Sequence, residues 1–314
     1  MDNFTHISIE IQRDLDTWEV AEERPTGSRE KRTLIRQGDT AYFVFKYPKR
    51  QREHQIWSEL LASYIAGDLL GWDVQHVSLG VLCGNPGNLL RYIYRPSTEE
   101  QFIEGYYLCS EVDLEYDVIK GQHHTFPLLL RTYDEVISPR YGISRADFMD
   151  FWSRAFALDT LISNTDRHAE NWAIVESPSG ARMAALYDNG SSMGCGLDSV
   201  GLDRSFGEHQ ELRPDWVRRF RNSGRHHVRL EDPAKNGALF EPLCRKLLDT
   251  YPEGRAAFER AVEIDLEAVR ALTHNIIQRV DLPGNYALTE KRAVHIHAVL
   301  QIGRQRIQNI LREN

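Results

Sequence analysis

Asp166, Asn171 and Asp188 lie close together in the stretch LDTLISNTDRHAENWAIVESPSGARMAALYDNGSSMG. Two carboxylates and one amide oxygen make a hard, oxygen-only donor set. Such a set suits Mg²⁺ bridging the phosphates of a nucleotide. Phosphoryl transfer also needs a group to take the proton of the acceptor hydroxyl. Asp166 precedes the other two and is left for that role, with Asn171 and Asp188 as metal ligands. Taken singly, Asp and Asn are common in turns and helix caps. It is the order of a helix, a D-x-x-x-x-N loop, a hairpin and a closing Asp that points to chemistry on ATP.

The elements that must position these residues are legible around them. ADFMDFWSRAFALDTLIS carries Phe148, Phe151, Trp152, Ala155, Phe156 and Ile162 at helical spacing, and the helix ends near Ser163. The polar loop NTDRHAEN follows. WAIV and ARMAALY are apolar runs separated by ESPSG, where Pro178 and Gly180 mark a turn, so the pair predicts a β-hairpin. Antiparallel pairing about that turn would bring Asn171 near Asp188.

Upstream, AYFVFKYP predicts a strand closed by Pro48. REHQIWSELLASYIAGDLLG predicts a helix with Ile56, Trp57, Leu60, Leu61, Tyr64, Ile65 and Leu69 on one stripe, stopping at Gly71. VSLGVLC and NLLRYIY predict two strands about a Gly-Asn-Pro-Gly turn. Lys46 shares a strand face with Tyr42 and Val44. It is either a phosphate-pairing lysine or an exposed lysine at a strand end. A phosphate-pairing lysine is held by a carboxylate on the next helix. Glu59 is the candidate, Glu53 the competitor, and a solvated Glu59 the alternative. Gly27 and Ser28 would present backbone N–H groups to phosphates, or form an ordinary surface turn. Tyr92, Ile93 and Tyr94 end the β-rich part, as a connector whose backbone holds adenine or as a plain edge strand.

NTDRHAENWAIV followed by LYDNGSS resembles the catalytic and metal-binding segment of the HipA-like Ser/Thr kinases, and DRHAEN also resembles the loop of phosphatidylinositol kinases. TGSREKRTLI, Thr26 to Ile35, resembles the phosphate-covering loop of the HipA-like family. With the Lys46 strand, the likeness spans most of residues 20–195. It implies a two-lobed, protein-kinase-like α+β fold, with a small β-rich N-lobe over 1–95 and a mainly helical C-lobe over 96–314. It also implies ATP and Mg²⁺ as cofactors, with Arg167 and His168 organising the catalytic loop. Regulatory autophosphorylation is expected near the phosphate loop, where Thr26, Ser28 and Thr33 are the candidates. By the same resemblance the substrate would be a translation component such as an aminoacyl-tRNA synthetase. The partner would be a helix-turn-helix antitoxin. The chain departs from the long family members in lacking their N-terminal subdomain, and looks like a short, HipT-like or stand-alone member. A separate small partner would then supply the missing piece.

Composition bounds the alternatives. The chain has 314 residues, 41% hydrophobic and 27% charged, with a net charge of −8, which argues against direct DNA binding. No run of about 18 apolar residues is present, and the start lacks a secretory pattern. Cys83, Cys109, Cys195 and Cys244 are far apart with no CxxC pair, as fits a reducing, cytoplasmic location. The histidines show no zinc spacing. Arg213 to Arg229 is a basic segment, either a solvated face or a dock for an anion. The expected activity is an ATP-dependent, Mg²⁺-requiring Ser/Thr protein kinase. The alternatives are a small-molecule or lipid head-group kinase, and a nucleotide-binding regulator without catalysis.

Overall fold

The computed structural model describes residues 10–21, 30–36, 38, 41–95, 98–117, 121–231 and 236–313. Thr26, Gly27 and Ser28 lie outside them. Contacts divide the chain into two compact units that are not two consecutive stretches. The first takes Met1–Ile93, Asp188–Val217 and Ile264–Val299, and the second takes Tyr94–Tyr187, Arg218–Glu263 and Leu300–Asn314. Among the described residues no helix is long and apolar enough to cross a membrane.

The first unit holds an antiparallel sheet built from β1 (Glu19–Val20), β2 (Lys31–Ile35), β3 (Tyr42–Lys46), β4 (Val77–Leu82) and β5 (Asn85–Arg91), in the order β1-β2-β3-β5-β4. Alternation sorts the side chains of β3. Phe45 is buried with Leu15, Trp18, Leu34, Leu82 and Leu89, and Phe43 and Tyr47 pack against the same cluster. Lys46 projects to the other face. Its strand neighbour across the sheet is Asn88, whose Nδ2 donates to the Ile56 carbonyl at 3.0 Å and so ties sheet to helix.

That helix runs Gln55–Ser63 and continues as a π-helical turn over Tyr64–Leu69. Gly71 follows in the left-handed region at φ +71, as a helix stop requires. All nine residues of Gln55–Ser63 are buried, so the helix has no solvated edge of the kind the apolar stripe predicts. Two of its side chains bond to segments distant in sequence. Trp57 Nε1 donates to the Tyr286 carbonyl at 2.7 Å, and Ser58 Oγ to the Ser192 carbonyl at 2.9 Å.

Two expectations from the sequence need correction. The β4–β5 turn lies at Cys83 and Gly84, both left-handed (φ +51 and +75), and Asn85-Pro86-Gly87 belong to β5. Pro86 is tolerated there because pairing of β5 with β3 reaches only to Asn88, so no ladder bond to β3 is lost. Thr33 is not in a loop. It lies in β2, 1% exposed, with its hydroxyl 3.0 Å from that of Tyr92, out of reach as a modification site.

The second unit contains the three-stranded sheet β6 (Gln101–Glu104), β7 (Ala173–Ser177) and β8 (Gly180–Met183), paired antiparallel. β7 and β8 form the hairpin the sequence predicts, with Ser177 opposite Gly180. The Arg145–Ile162 helix is capped by Ser144, whose side chain accepts from Asp147 N at 3.1 Å. It buries most of its length, with Trp152 packed 5.4 Å from Trp172. Helices Gly105–Val112, Phe126–Thr132, Phe240–Thr250 and Arg255–Val262 also belong to this unit; Leu266–Arg279 belongs to the first unit, and Glu290–Glu313 is divided between the two.

Gly87 marks where the sheet is tightest. A Cβ there would lie 2.6 Å from Phe45 Cζ and 2.7 Å from the Lys46 carbonyl oxygen. Gly87→Ala should force β3 and β5 apart and destabilise by about 1–3 kcal/mol. Gly284→Ala, with no atom within 4 Å, should stay within about 0.5 kcal/mol of the parent. Urea unfolding of the two variants checks this, and equal midpoints would contradict the packing described.

Candidate functional site

Two clusters of buried charge hold the residues singled out in the sequence, one in each unit. In the first unit Lys46 is buried. Its Nζ lies 2.7 Å from Asp188 Oδ1 and 3.6 Å from Glu59 Oε2. Glu59, not Glu53, is therefore the helix carboxylate that faces the lysine. Its other oxygen, Oε1, accepts from the Asn189 backbone N–H at 2.8 Å. The DNGSS loop is bound to the helix at both ends, by this bond and by Ser58 to Ser192. Asp188 itself sits at φ +51, a left-handed conformation uncommon for a non-glycine residue and held here by its surroundings.

A lysine taken out of water needs compensation at close range. The strand supplies the lysine, the helix supplies Glu59, and the loop after β8 supplies Asp188. Tyr92 and Ile93 end this unit. Tyr92 N donates to the Tyr42 carbonyl at 3.0 Å, and the two rings are 5.7 Å apart. Tyr94, the first residue of the second unit, stacks on Phe102 at 5.3 Å. All three are partly exposed.

In the second unit the centre is Asp159, which the sequence reading did not single out. Its carboxylate is fully buried. It accepts from Arg167 Nε at 3.0 Å and Nη2 at 2.8 Å, from Asn164 Nδ2 at 2.9 Å, and from His226 Nε2 at 3.0 Å. Val228 N donates to His226 Nδ1 at 3.1 Å, so the proton of neutral His226 sits on Nε2, facing Asp159. Burial pushes the Asp159 carboxyl up, but the charge of Arg167 and the hydrogen bonds from His226 and Arg167 outweigh it and hold it at about 2. The signal in the sequence was an acid four residues inside the end of an otherwise apolar helix segment. Its partners at 167 and 226 come from elsewhere in the chain.

Arg167 then reaches the DRHAEN loop. Its Nη1 donates to the Asn171 carbonyl at 3.1 Å and to the Tyr187 carbonyl at 2.8 Å. One nitrogen thus brackets the end of the DRHAEN loop and the residue bonded to Asp188. Tyr187 Oη adds a bond to the Glu170 carbonyl at 2.8 Å. Asn171 is buried, and its Nδ2 donates to the Asp166 carbonyl at 2.5 Å. That bond uses the NH₂ as a donor, so the amide oxygen is the atom of the group that can act as a ligand to a hard cation. Asp166 is partly exposed. Among the described residues no group of three His, Cys, Asp or Glu side chains could hold a metal, so any cation here depends on an amide oxygen as well as carboxylates.

His168 joins this loop to a run of histidines. Its Nδ1 accepts from Glu170 N at 3.2 Å, its Nε2 lies 3.9 Å from Asp166 Oδ1, and its ring is 5.6 Å from that of His227. His227 Nδ1 lies 3.5 Å from His124 Nδ1, and His124 Nε2 accepts from Trp172 Nε1 at 3.2 Å. Burial, and then neighbouring histidines, hold His124 well below its usual range and lower His227 to about 3. The basic segment is divided between a solvated face and the interior. Arg221 is buried, bonding Ser163 Oγ at 2.6 Å and the Thr160 carbonyl, and Arg229 is buried against the Gly121 carbonyl. Arg213, Arg218, Arg219 and Arg225 are exposed.

Two stability predictions follow from the buried charges. Asp159→Asn leaves Arg167 without its counter-charge and should cost about 3–5 kcal/mol in urea unfolding; a loss below 1 kcal/mol would remove Asp159 from the centre of the unit. On acidification the histidines act first. The unfolded chain protonates them below about 6.5 while the folded chain does not, so their stability is full above 6.5 and falls as pH drops. Asp159 acts later, its contribution present above 3.8 and lost toward pH 2. Melting temperature should therefore begin to fall between pH 7 and 5, and a flat profile down to pH 4 would contradict neutral burial of His124 and His227.

No family model matches the chain, and no curated protein does. Solved structures do. The crystal structure of a Helicobacter pylori proinflammatory kinase, CtkA, superposes with TM-score 0.72 at 16% identity, covering 96% of this chain and 97% of the other. HipA of Shewanella oneidensis MR-1, from a toxin–antitoxin complex of HipA, HipB and operator DNA, superposes with TM-score 0.56 at 13% identity, covering 95% of this chain and 68% of that one. An antiparallel five-stranded sheet in the N-terminal part, a mostly helical C-terminal part and these likenesses agree: the chain has the kinase-like α+β fold of the HipA-like kinases.

Proposed function

We propose that this chain is an ATP-dependent, Mg²⁺-requiring kinase that transfers the γ-phosphoryl group to a hydroxyl, that of a protein Ser or Thr. The observation that carries the reading is Lys46, a buried ammonium held 2.7 Å from Asp188 and 3.6 Å from Glu59 in a kinase-like fold. A cation kept at such cost in a buried position is suited to pairing with phosphate oxygens.

The roles divide by chemistry. Lys46 pairs with the α- and β-phosphates, and Glu59 holds it in place. Asp188 and Asn171 would hold Mg²⁺, which when bound neutralises charge on the phosphates. Asp166 accepts the proton of the acceptor hydroxyl. The hydroxyl oxygen forms a bond to the γ-phosphorus while the bond to the β-bridging oxygen breaks, and ADP leaves. Arg167 and His168 position the loop. Gly27 and Ser28 would give backbone N–H groups to the phosphates, and the backbone of Tyr92, Ile93 and Tyr94 would hold adenine.

A translation component as substrate, autophosphorylation at Thr26 or Ser28, a helix-turn-helix antitoxin and a small subdomain-like partner belong to the same proposal. The HipA structure, solved with HipB and operator DNA, supports looking for an antitoxin. A cytoplasmic site of action fits the four free cysteines among the described residues.

Labelled ATP with the pure protein and a cell lysate tests the reading. Asp166→Asn should bind Mg-ATP nearly normally yet lose at least about a hundredfold in rate, roughly 3 kcal/mol of transition-state stabilisation. Lys46→Ala should lose both binding and rate, and Asp188→Ala should lose a similar hundredfold. Label appearing in a metabolite or lipid instead of protein would favour the alternative kinase class. Tight ATP binding without label in any species would favour a non-catalytic regulator. Full activity of Asp188→Ala would remove it from the site.

A further inference from the structure

A cavity of about 580 Å³ opens in the first unit, lined among others by Arg32, Tyr47, Lys49, Arg50, Glu53 and Tyr286. It does not share a face with Lys46. Tyr47 and Lys46 are successive residues running out of β3 and point to opposite sides. Phe45, on the Tyr47 side, stands opposite Arg32 in the β2–β3 register, and the rings of Phe45 and Tyr47 are 4.9 Å apart. The cavity therefore backs onto the face of the sheet away from the lysine.

Its chemistry is that of an anion site. Arg32, Lys49 and Arg50 are exposed, and none makes an ion pair among the described residues. Of the two carboxylates in the lining, Glu30 and Glu53, the second is occupied locally, accepting from the Gln51 N–H at 3.0 Å. Burial raises the Tyr47 and Tyr286 phenols above their usual range, so both are hydroxyl donors at neutral pH. Three cations and two phenols face two carboxylates, Glu30 and Glu53, around one cavity, an excess of one positive charge with several donors. Arginine forks in particular match the oxygens of a phosphate.

The walls of the cavity are also the parts that set the distance from Lys46 to Glu59. Lys49 and Arg50 lie in the link between the strand of Lys46 and the helix of Glu59. The Lys49 N–H donates to Gln55 Oε1, the first residue of that helix, at 3.2 Å. The Tyr286 carbonyl accepts from Trp57 Nε1 at 2.7 Å, two residues before Glu59.

We propose that this cavity binds a phosphomonoester through Arg32, Lys49 and Arg50, and that occupancy is transmitted to the Lys46–Glu59 pair through the link and through Tyr286. The phosphate comes either from a small phosphorylated molecule or from a phosphorylated side chain of a protein. Only the transmission rests on the kinase reading; binding does not.

Calorimetric titration of the full chain with phenyl phosphate, and in parallel with a phosphoserine hexapeptide, tests it. Both probes should bind in the presence of saturating Mg-ATP, and neither should be displaced by it. Combined Arg32→Ala, Lys49→Ala and Arg50→Ala should weaken both at least tenfold. The residues are exposed, so the fold should hold, and an unchanged Kd for Mg-ATP and an unchanged circular dichroism spectrum would verify that. Lys46→Ala should still bind both probes, with a shifted affinity, because coupling between the cavity and the Lys46–Glu59 pair is reciprocal. An unchanged affinity would remove the transmission and leave the site. A peptide that binds tenfold more tightly than phenyl phosphate would assign the source to protein, and equal affinity would assign it to a small molecule. No binding of either probe at 10 mM, equal binding by the triple variant, or displacement by Mg-ATP would each overturn the site. If binding stands and the chain proves to have no kinase activity, the cavity survives and only the transmission falls.

Discussion

A charge removed from water has to be met at hydrogen-bond distance, and each unit of this protein is arranged around one such charge. In the first unit it is Lys46, and a strand, a helix and a loop converge because Glu59 and Asp188 must both reach it. In the second it is Arg167, whose side chain is 0% exposed. Asp159 neutralises it, and its Nη1 donates to carbonyls of the DRHAEN loop and of the hairpin end. If either cation were solvated, nothing would oblige these segments to meet.

The two clusters differ in what they leave over. Asp159 is saturated: two nitrogens of Arg167, one of Asn164 and one of His226 occupy its oxygens. That is the pattern of a structural anchor, and it keeps the loop rigid. Glu59 is not saturated. Its Oε2 makes no hydrogen bond among the described residues and faces Lys46 at 3.6 Å. Asp188 keeps about a quarter of its side chain exposed. Glu59 thus keeps acceptor capacity beside the lysine.

The histidines show how the loop is supported from below. Trp172, which follows Asn171, donates to His124, and His124 contacts His227, which packs on His168. Three histidine rings connect the strand after the loop back to the loop itself. The segment from Arg213 to Arg229 reads by composition as a surface feature. It supplies His226, His227, Arg221 and Arg229 to this interior, and four of its arginines to solvent.

Much of this was legible in local pattern. Strand alternation put Lys46 on the face opposite Phe45, the ESPSG turn predicted the β7–β8 hairpin, and helical spacing found the Arg145–Ile162 helix, because each depends only on neighbours within a few positions. Motif order named Asp166, Asn171 and Asp188 as candidates on the same local footing, and their roles belong to the proposal. Tertiary structure alone decided the rest. It chose Glu59 over Glu53 through the packing of a fully buried helix, and put Thr33 inside the sheet. It moved the β4–β5 turn to Cys83–Gly84, where Pro86 no longer had to pair with β3. It also joined Asp159 to His226 and Trp172 to His124, pairs 67 and 48 positions apart. Buried charges choose partners by distance in space, and a linear pattern carries no measure of that distance.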